Sequence, residues 1–264
     1  MMEIPLFLRG ILVITGKNMR LYYTKPPVLM FGLLFPLFMF FAFFVGRHLD
    51  LVTFFPAFLA MMLFFTASSV GPLITPWEKR EKTYERLLSY PVTQDSIILG
   101  DVAAGAIFGV GISLLVWIAS TLFIPVAITN PGLFALAFIL GTLSCATLGV
   151  LLASPASDSP PNVMIFSNLI RFPLIFISGI FVPLAQMQGL SLTLAYCSPL
   201  TYLVDLFNAA MSGTSVFSPL VDCGVLIGVS AGFILAARII QKRNLMKGHT
   251  NQNKLNQLLH HRHE

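Results

Sequence analysis

Polar and apolar positions alternate along this chain on the scale of whole helices. Six stretches are nearly free of charge: residues 28–45, 52–75, 102–124, 133–153, 163–184 and 217–237. A helix rises about 1.5 Å per residue, so about 20 residues cross a hydrocarbon core about 30 Å thick. The pattern therefore predicts an all-α polytopic membrane protein with six transmembrane helices. The breaks carry their own chemistry. Lys25-Pro26-Pro27 precedes the first stretch and Arg47-His48-Leu49-Asp50 follows it; Thr129-Asn130-Pro131-Gly132 and Asp158-Ser159-Pro160-Pro161 are turn signals.

Two flanking patterns extend this picture. Arg9, Lys17 and Arg20 fall at i, i+8 and i+11, with Leu6, Phe7, Ile11, Leu12 and Ile14 over much of the remaining surface. That pattern predicts an N-terminal amphipathic helix lying in the membrane interface; an ordinary cytoplasmic lead-in is the alternative. No cleavable signal peptide is expected, since residues 4–14 are short and carry Arg9. Residues 185–216 have no Lys or Arg and only Asp205 as an acid, too apolar for a plain loop. Short outer helices, or a re-entrant hairpin, are expected between spans five and six. A single transmembrane domain would then occupy residues 1–246. Residues 247–264 read as a polar, poorly ordered tail, in which metal binding by His260, His261 and His263 is the lesser alternative.

Composition excludes whole classes. Hydrophobic residues make up 56% of the 264 and charged residues 10%, with a mean hydropathy of +0.83. A soluble domain needs about 25% charged residues to cover its surface, so a soluble enzyme, a disordered chain and a DNA-binding domain are ruled out. The net charge of +5 gains its meaning from its distribution. Fourteen of the 16 Lys and Arg fall before span one, between spans two and three, or after span six. By the positive-inside rule both termini are cytoplasmic, in a cell membrane. The three Cys, at 145, 197 and 223, form no metal-ligand spacing and no disulfide framework.

Catalytic chemistry is not written here. There is no HExxH, no GxSxG elbow and no GxxxxGK[ST] loop, so no enzyme is expected, and no cofactor bound by this chain itself. Asp101, Asp205 and Asp222 fall at predicted span ends, and no Glu lies inside a span. That leaves an ion-coupled secondary carrier without the buried carboxylates it would use. Glycines 105, 109 and 111 are read as allowing close helix packing.

The densest chemistry is cytoplasmic. Seven of the 27 charges fall within residues 78–86, between Trp77 and the Leu87-Leu88 pair. As one helix, this segment would place Trp77, Tyr84, Leu87 and Leu88 on an apolar stripe. Glu78 and Lys82 would pair at i,i+4, while Glu81 and Glu85 would repel at the same spacing. Like charges on one face suggest a partner of opposite sign; a solvated loop helix is the alternative. Pro91 would end the helix and Thr93 or Asp95 would cap the next.

Here the chain resembles a known family, the permease subunits of type-2 ATP-binding-cassette (ABC) exporters. The resemblance lies in Glu81-x-Thr83-x-Glu85-x-Leu87-Leu88-x-x-Pro91-Val92 followed by Ile97-Ile98-Leu99-Gly100, in Pro173-Leu174-x-Phe176-x-Ser178-Gly179-x-Phe181-x-Pro183-Leu184, and in Cys197-Ser198-Pro199-Leu200-Thr201-Tyr202 with Asp205. Lys82 stands where the family carries Gly, Asp101 where it carries Lys, and Asn208 near a common Arg. The resemblance implies a dimer, with itself or a related permease, bound to separate ABC ATPase subunits that supply ATP and Mg. It implies export of a lipid, glycan or hydrophobic drug, membrane lipids as surroundings, and no nucleic acid. It places ATPase coupling on Glu78, Arg80, Glu81, Tyr84, Glu85, Arg86, Leu87 and Leu88, and a substrate path near Ser178 and Gly179.

Arg171 is the one base inside a span. Arg at a helix centre costs about 2.5–3.5 kcal/mol on insertion scales, which snorkelling reduces. It reads either as a path-lining group for an anionic substrate or as a donor to neighbouring carbonyls. Two readings from other classes stand beside the permease: the secondary carrier, and a membrane scaffold or receptor docking a non-ATPase partner.

Overall fold

A computed structural model describes residues 5–23, 25–44, 51–90, 92–122, 125, 127–155 and 159–260, and they fold as helices without a strand. The N-terminal helix α1 runs Leu6–Leu21. Residues 26–44 follow as α2 (Pro26–Leu29), a π-helical turn (Met30–Leu34) and α3 (Phe35–Phe44). Next come α4 (Leu51–Ser68) and α5 (Gly71–Arg80), then the short α6 (Thr83–Leu88). The long helices α7 (Gln94–Thr121), α8 (Pro131–Ala153) and α9 (Pro160–Ile177) complete the middle of the chain. The last three are α10 (Leu190–Cys197), α11 (Pro199–Met211) and α12 (Pro219–His260).

Five of these segments are long and apolar enough to cross a bilayer: 52–80, 94–121, 131–153, 160–177 and 219–244. The number rises to six if α10 and α11, bent by 85° at Ser198, make one broken crossing. This bent pair lies where short outer helices or a re-entrant hairpin are expected between spans five and six. Predicted span one is helical over 26–44 but interrupted by the π turn, and its last residue, Val45, lies outside the described set.

Helix α4 is the axis of the bundle. Phe55 to Ser68 are all buried, on every face, among α7, α8, α11 and the π turn. A helix apolar all round belongs at the centre of a bundle. Phe64, Phe65, Met61, Met62 and Leu63 fill it, and Phe134, Phe138 and Phe207 stack edge-to-face beside it. Glycines bring the neighbours close. A Cβ at Gly105 would sit 2.8 Å from the Ala67 carbonyl oxygen, and one at Gly109 2.6 Å from the Ala67 side chain. Gly111 meets nothing within 4 Å, so its predicted packing role is not seen.

Several boundaries differ from the sequence pattern. Span two is not one helix: it breaks at Ser69 and Val70, ahead of Gly71-Pro72. Span five ends at Ile177 rather than 184, because Ser178 folds its hydroxyl back onto the Ile175 carbonyl at 2.8 Å and Gly179 turns left-handed (φ 84°). Helix α12 runs on into the polar tail as far as His260. Just ahead of it Asn244 donates to the Ser154 carbonyl at 2.9 Å, so α8's C-terminus holds this part of α12. His261 and His263 lie outside the described residues.

Candidate functional site: the α1–α5–α6 junction

Helix α1 packs along the start of α7. Gly10 faces Ser96, and a Cβ at Gly100 would press into the Ile14 side chain, so backbone and side chain meet almost directly. Thr15 donates its hydroxyl to the Gly100 carbonyl at 3.2 Å, and Asn18 donates to the Asp101 carboxylate at 2.6 Å. The opposite face of α1 exposes Leu8, Leu12 and Val13, flanked by Arg9 and Arg20. Lys17 does not share that outer face: it turns inward and pairs with Glu78 of α5. The three bases predicted to act together thus divide into two exposed and one tethered.

Glu78 itself is only 2% exposed. Around it, Tyr22 and Trp77 close the junction, and Lys25 stacks its ammonium 4.0 Å from the centre of the Trp77 ring. Burial pushes the Tyr22 and Tyr23 phenols up, and the negative charge of Asp101 adds to it.

The single helix expected over 77–88 is two. Glu81 and Lys82 separate α5 from α6, and Lys82 sits in the left-handed region at φ 55°. Glu81 donates its N–H to the Trp77 carbonyl and Lys82 to that of Lys79, closing α5. The Glu78–Lys82 pairing and the Glu81–Glu85 repulsion both assumed an unbroken helix, and neither follows from this backbone. Lys82 could have signalled the break, because the family pattern that the sequence resembles sets a Gly at this position, and Gly favours positive φ.

Helix α6 then folds back onto α1 and α7. Tyr84 is 4% exposed among Ile14 and Ile97, with Leu87 and Val92 beside it. Burial, with the charges of Asp101 and Glu78, pushes its phenol up to about 12. Arg80, Glu81, Lys82 and Arg86 face outward. Glu85 and Leu88 belong to α6, but their side chains, like Pro91, lie outside the described set. Thr93 caps α7 through the Ser96 N–H at 3.2 Å. The eight predicted coupling residues therefore divide: Glu78, Tyr84 and Leu87 hold the element in place, while Arg80, Glu81 and Arg86 are presented by it. Sequence reasoning missed Tyr90, which projects beside this face at 66% exposure, and the Asn18–Asp101 contact beneath it.

The other predicted site is not contiguous with this junction. Ser178 and Gly179 form the turn that ends α9, with Gly179 against Leu184. Arg171, 1% exposed, donates to the backbone carbonyl of Ser68. Of its two readings, the bond to a neighbouring carbonyl is the contact present.

Known proteins are similar to this chain in sequence. Nodulation protein J of Rhizobium leguminosarum bv. viciae is 26% identical over 176 residues, covering 62% of this chain and 63% of the relative. The inner membrane transport permease YadH of Escherichia coli (strain K12) is 25% identical over 157 residues, covering 60% and 61%. The chain thus spans less than two thirds of the length of these relatives. Residues 9–212, from α1 through α11, match the ABC-2 type transporter family over well beyond half the chain, and the protein belongs to that family.

Proposed function

We propose that this chain is the permease subunit of an ABC exporter, with ATP and Mg bound by separate ATPase subunits. Dimerising with itself or a related permease, it moves a lipid, glycan or hydrophobic drug across a cell membrane. Its termini are cytoplasmic, as the distribution of Lys and Arg supports. The observation that carries this reading is the build of α6. A six-residue helix is too short to persist alone in water, yet this one is anchored through Tyr84 to α1 and α7, and follows a segment tied to α1 by Lys17–Glu78. It presents Arg86 outward, with Arg80 and Glu81 exposed just before it and Tyr90 just after it. Exposed Arg and Tyr on a rigid support are the residue types that dominate protein interfaces. A push on α6 would reach α5 and α1 together.

The test is affinity purification of the full chain from its own membranes, with partners identified by mass spectrometry. The parent should bring down a protein carrying a nucleotide-binding GxxxxGK[ST] loop in roughly equal amount. The pair Arg86→Glu with Tyr90→Ala should lose that partner while its yield in the membrane stays the same. Equal recovery of the ATPase by this variant would remove α6 as the docking element.

A further inference from the structure

A carbonyl without a helical partner lies where α4 meets α5. In an unbroken helix the Ser68 carbonyl would accept from the N–H four residues on. That residue is Pro72, which has no N–H. The donor comes instead from Arg171, reaching across from α9. Two other elements converge on the same break. A Cβ at Gly149 of α8 would sit 2.8 Å from the Ser68 carbonyl oxygen, and a Cβ at Gly71 would overlap the backbone of Gly149. A Cβ at Gly32, in the π turn, would sit 2.9 Å from the Ser69 hydroxyl. Small residues leave room for the break, and Arg171 supplies its missing hydrogen bond.

We infer that Arg171 is a positioning residue that fastens α9 to the break between α4 and α5, so that movement of α5 is passed to α9. This rests on the reading that α6 receives the ATPase's motion. Helix α4 is buried on every face from Phe55 to Ser68; α5, itself buried over residues 71–76 and packed on α8 and α9, leads directly into α6. The break at Ser69 and Val70 then acts as the pivot through which motion of α6 enters the membrane, and the guanidinium fastens that pivot to α9, which α5 also packs against. The carbonyl freed by Pro72 gives the link a specific partner, so the two residues form a testable pair.

Two measurements decide it, both on the full chain in lipid nanodiscs. The first is a thermal double-mutant cycle. Arg171→Met should lower the melting temperature by about 5 °C in the parent, as expected for losing a charged hydrogen bond. In a Pro72→Ala background the loss should be less than half as large, because the alanine returns an N–H to the Ser68 carbonyl. Equal losses in both backgrounds overturn the pairing. The second uses spin labels at Ser89→Cys, at the C-terminal end of α6, and Leu169→Cys on α9, each read against Ile227→Cys on α12, with Cys197 and Cys223 replaced by Ser. The co-purified ATPase is trapped with ATP and vanadate. Both distances should shift in the parent and in Arg171→Lys; in Arg171→Met only the α6 distance should shift. An α9 shift that survives Arg171→Met overturns the proposal. If the α6 label stays still in the parent, the docking reading is what fails, and the thermal cycle still decides the Arg171–Ser68 bond.

Discussion

Lys17 of α1 and Glu78 of α5, 61 positions apart, form an ion pair whose carboxylate is buried and whose ammonium remains partly open to solvent. The pair binds the N-terminal helix to the end of the segment that carries α6. Removing one partner of such a pair leaves a charge without compensation, and for fully buried pairs this costs about 3–5 kcal/mol. Lys17 is partly exposed, so the lower part of that range applies.

Lys17→Met should therefore destabilise the protein more than the double variant Lys17→Met with Glu78→Gln, which removes both charges. Melting temperatures of the two variants beside the parent check this. A double variant as unstable as Lys17→Met would show that the pair contributes packing rather than compensated charge.

Lys82 is the only non-glycine at positive φ among the described residues. A left-handed backbone costs a side-chain-bearing residue about 1–2 kcal/mol that glycine avoids. Lys82→Gly should raise the melting temperature by a few degrees, and Lys82→Ala should not. Equal melting of Lys82→Gly and the parent would indicate that the turn is not strained.

Gly71 and Gly149 meet backbone to backbone, whereas Gly111 faces open space. Gly149→Ala should cut the yield of monodisperse protein sharply, since the intruding methyl meets the carbonyl of Ser68 rather than a movable side chain. Gly111→Ala should be neutral or stabilising by about 0.5–1 kcal/mol, through lower backbone entropy in the unfolded chain and better helix propensity. Size-exclusion profiles of the two variants, made in parallel, separate the cases.

Five of the six apolar stretches were legible as spanning helices because helices at membrane depth need long runs without charge; the first, interrupted by the π turn, is not among the described segments long and apolar enough to cross. Asn130, read only as part of a turn, accepts the N–H three residues on; Thr93 makes the same bond and was legible as a helix cap for a similarly local reason. The site was less so. Glu78 reads as one charge among seven, and nothing nearby in sequence says that it faces Lys17, sixty-one residues back. Arg171 could be seen to need an acceptor, but its acceptor is a backbone atom exposed by a proline 99 positions earlier. Contacts of that length are set by how helices pack, and periodicity within one helix does not carry them.

Tyr84 supplies a pH dependence. Its phenol is held up to about 12 by burial, while in the unfolded chain it ionises near 10. The unfolded state therefore releases this proton first. The stabilisation is complete below about pH 10 and is lost as pH rises toward 12. Tyr84→Phe should flatten the fall in melting temperature between pH 9 and 11, leaving the part due to Tyr22 and Tyr23. An unchanged slope would mean that Tyr84 reaches water in the folded state.

The enclosure of α4 bears on how the chain is made. Its walls α7, α8 and α11 all emerge from the ribosome after it, α11 last, with about 140 residues between the end of α4 and the end of α11. At synthesis rates of about 5–20 residues per second, α4 spends many seconds without them. Its phenylalanines must meet lipid, or an insertion factor, before they meet their own protein. A nascent chain stopped before Pro199 would remain in the membrane with the most enclosed helix of the bundle uncovered on one side, the form that a membrane quality-control protease would encounter first.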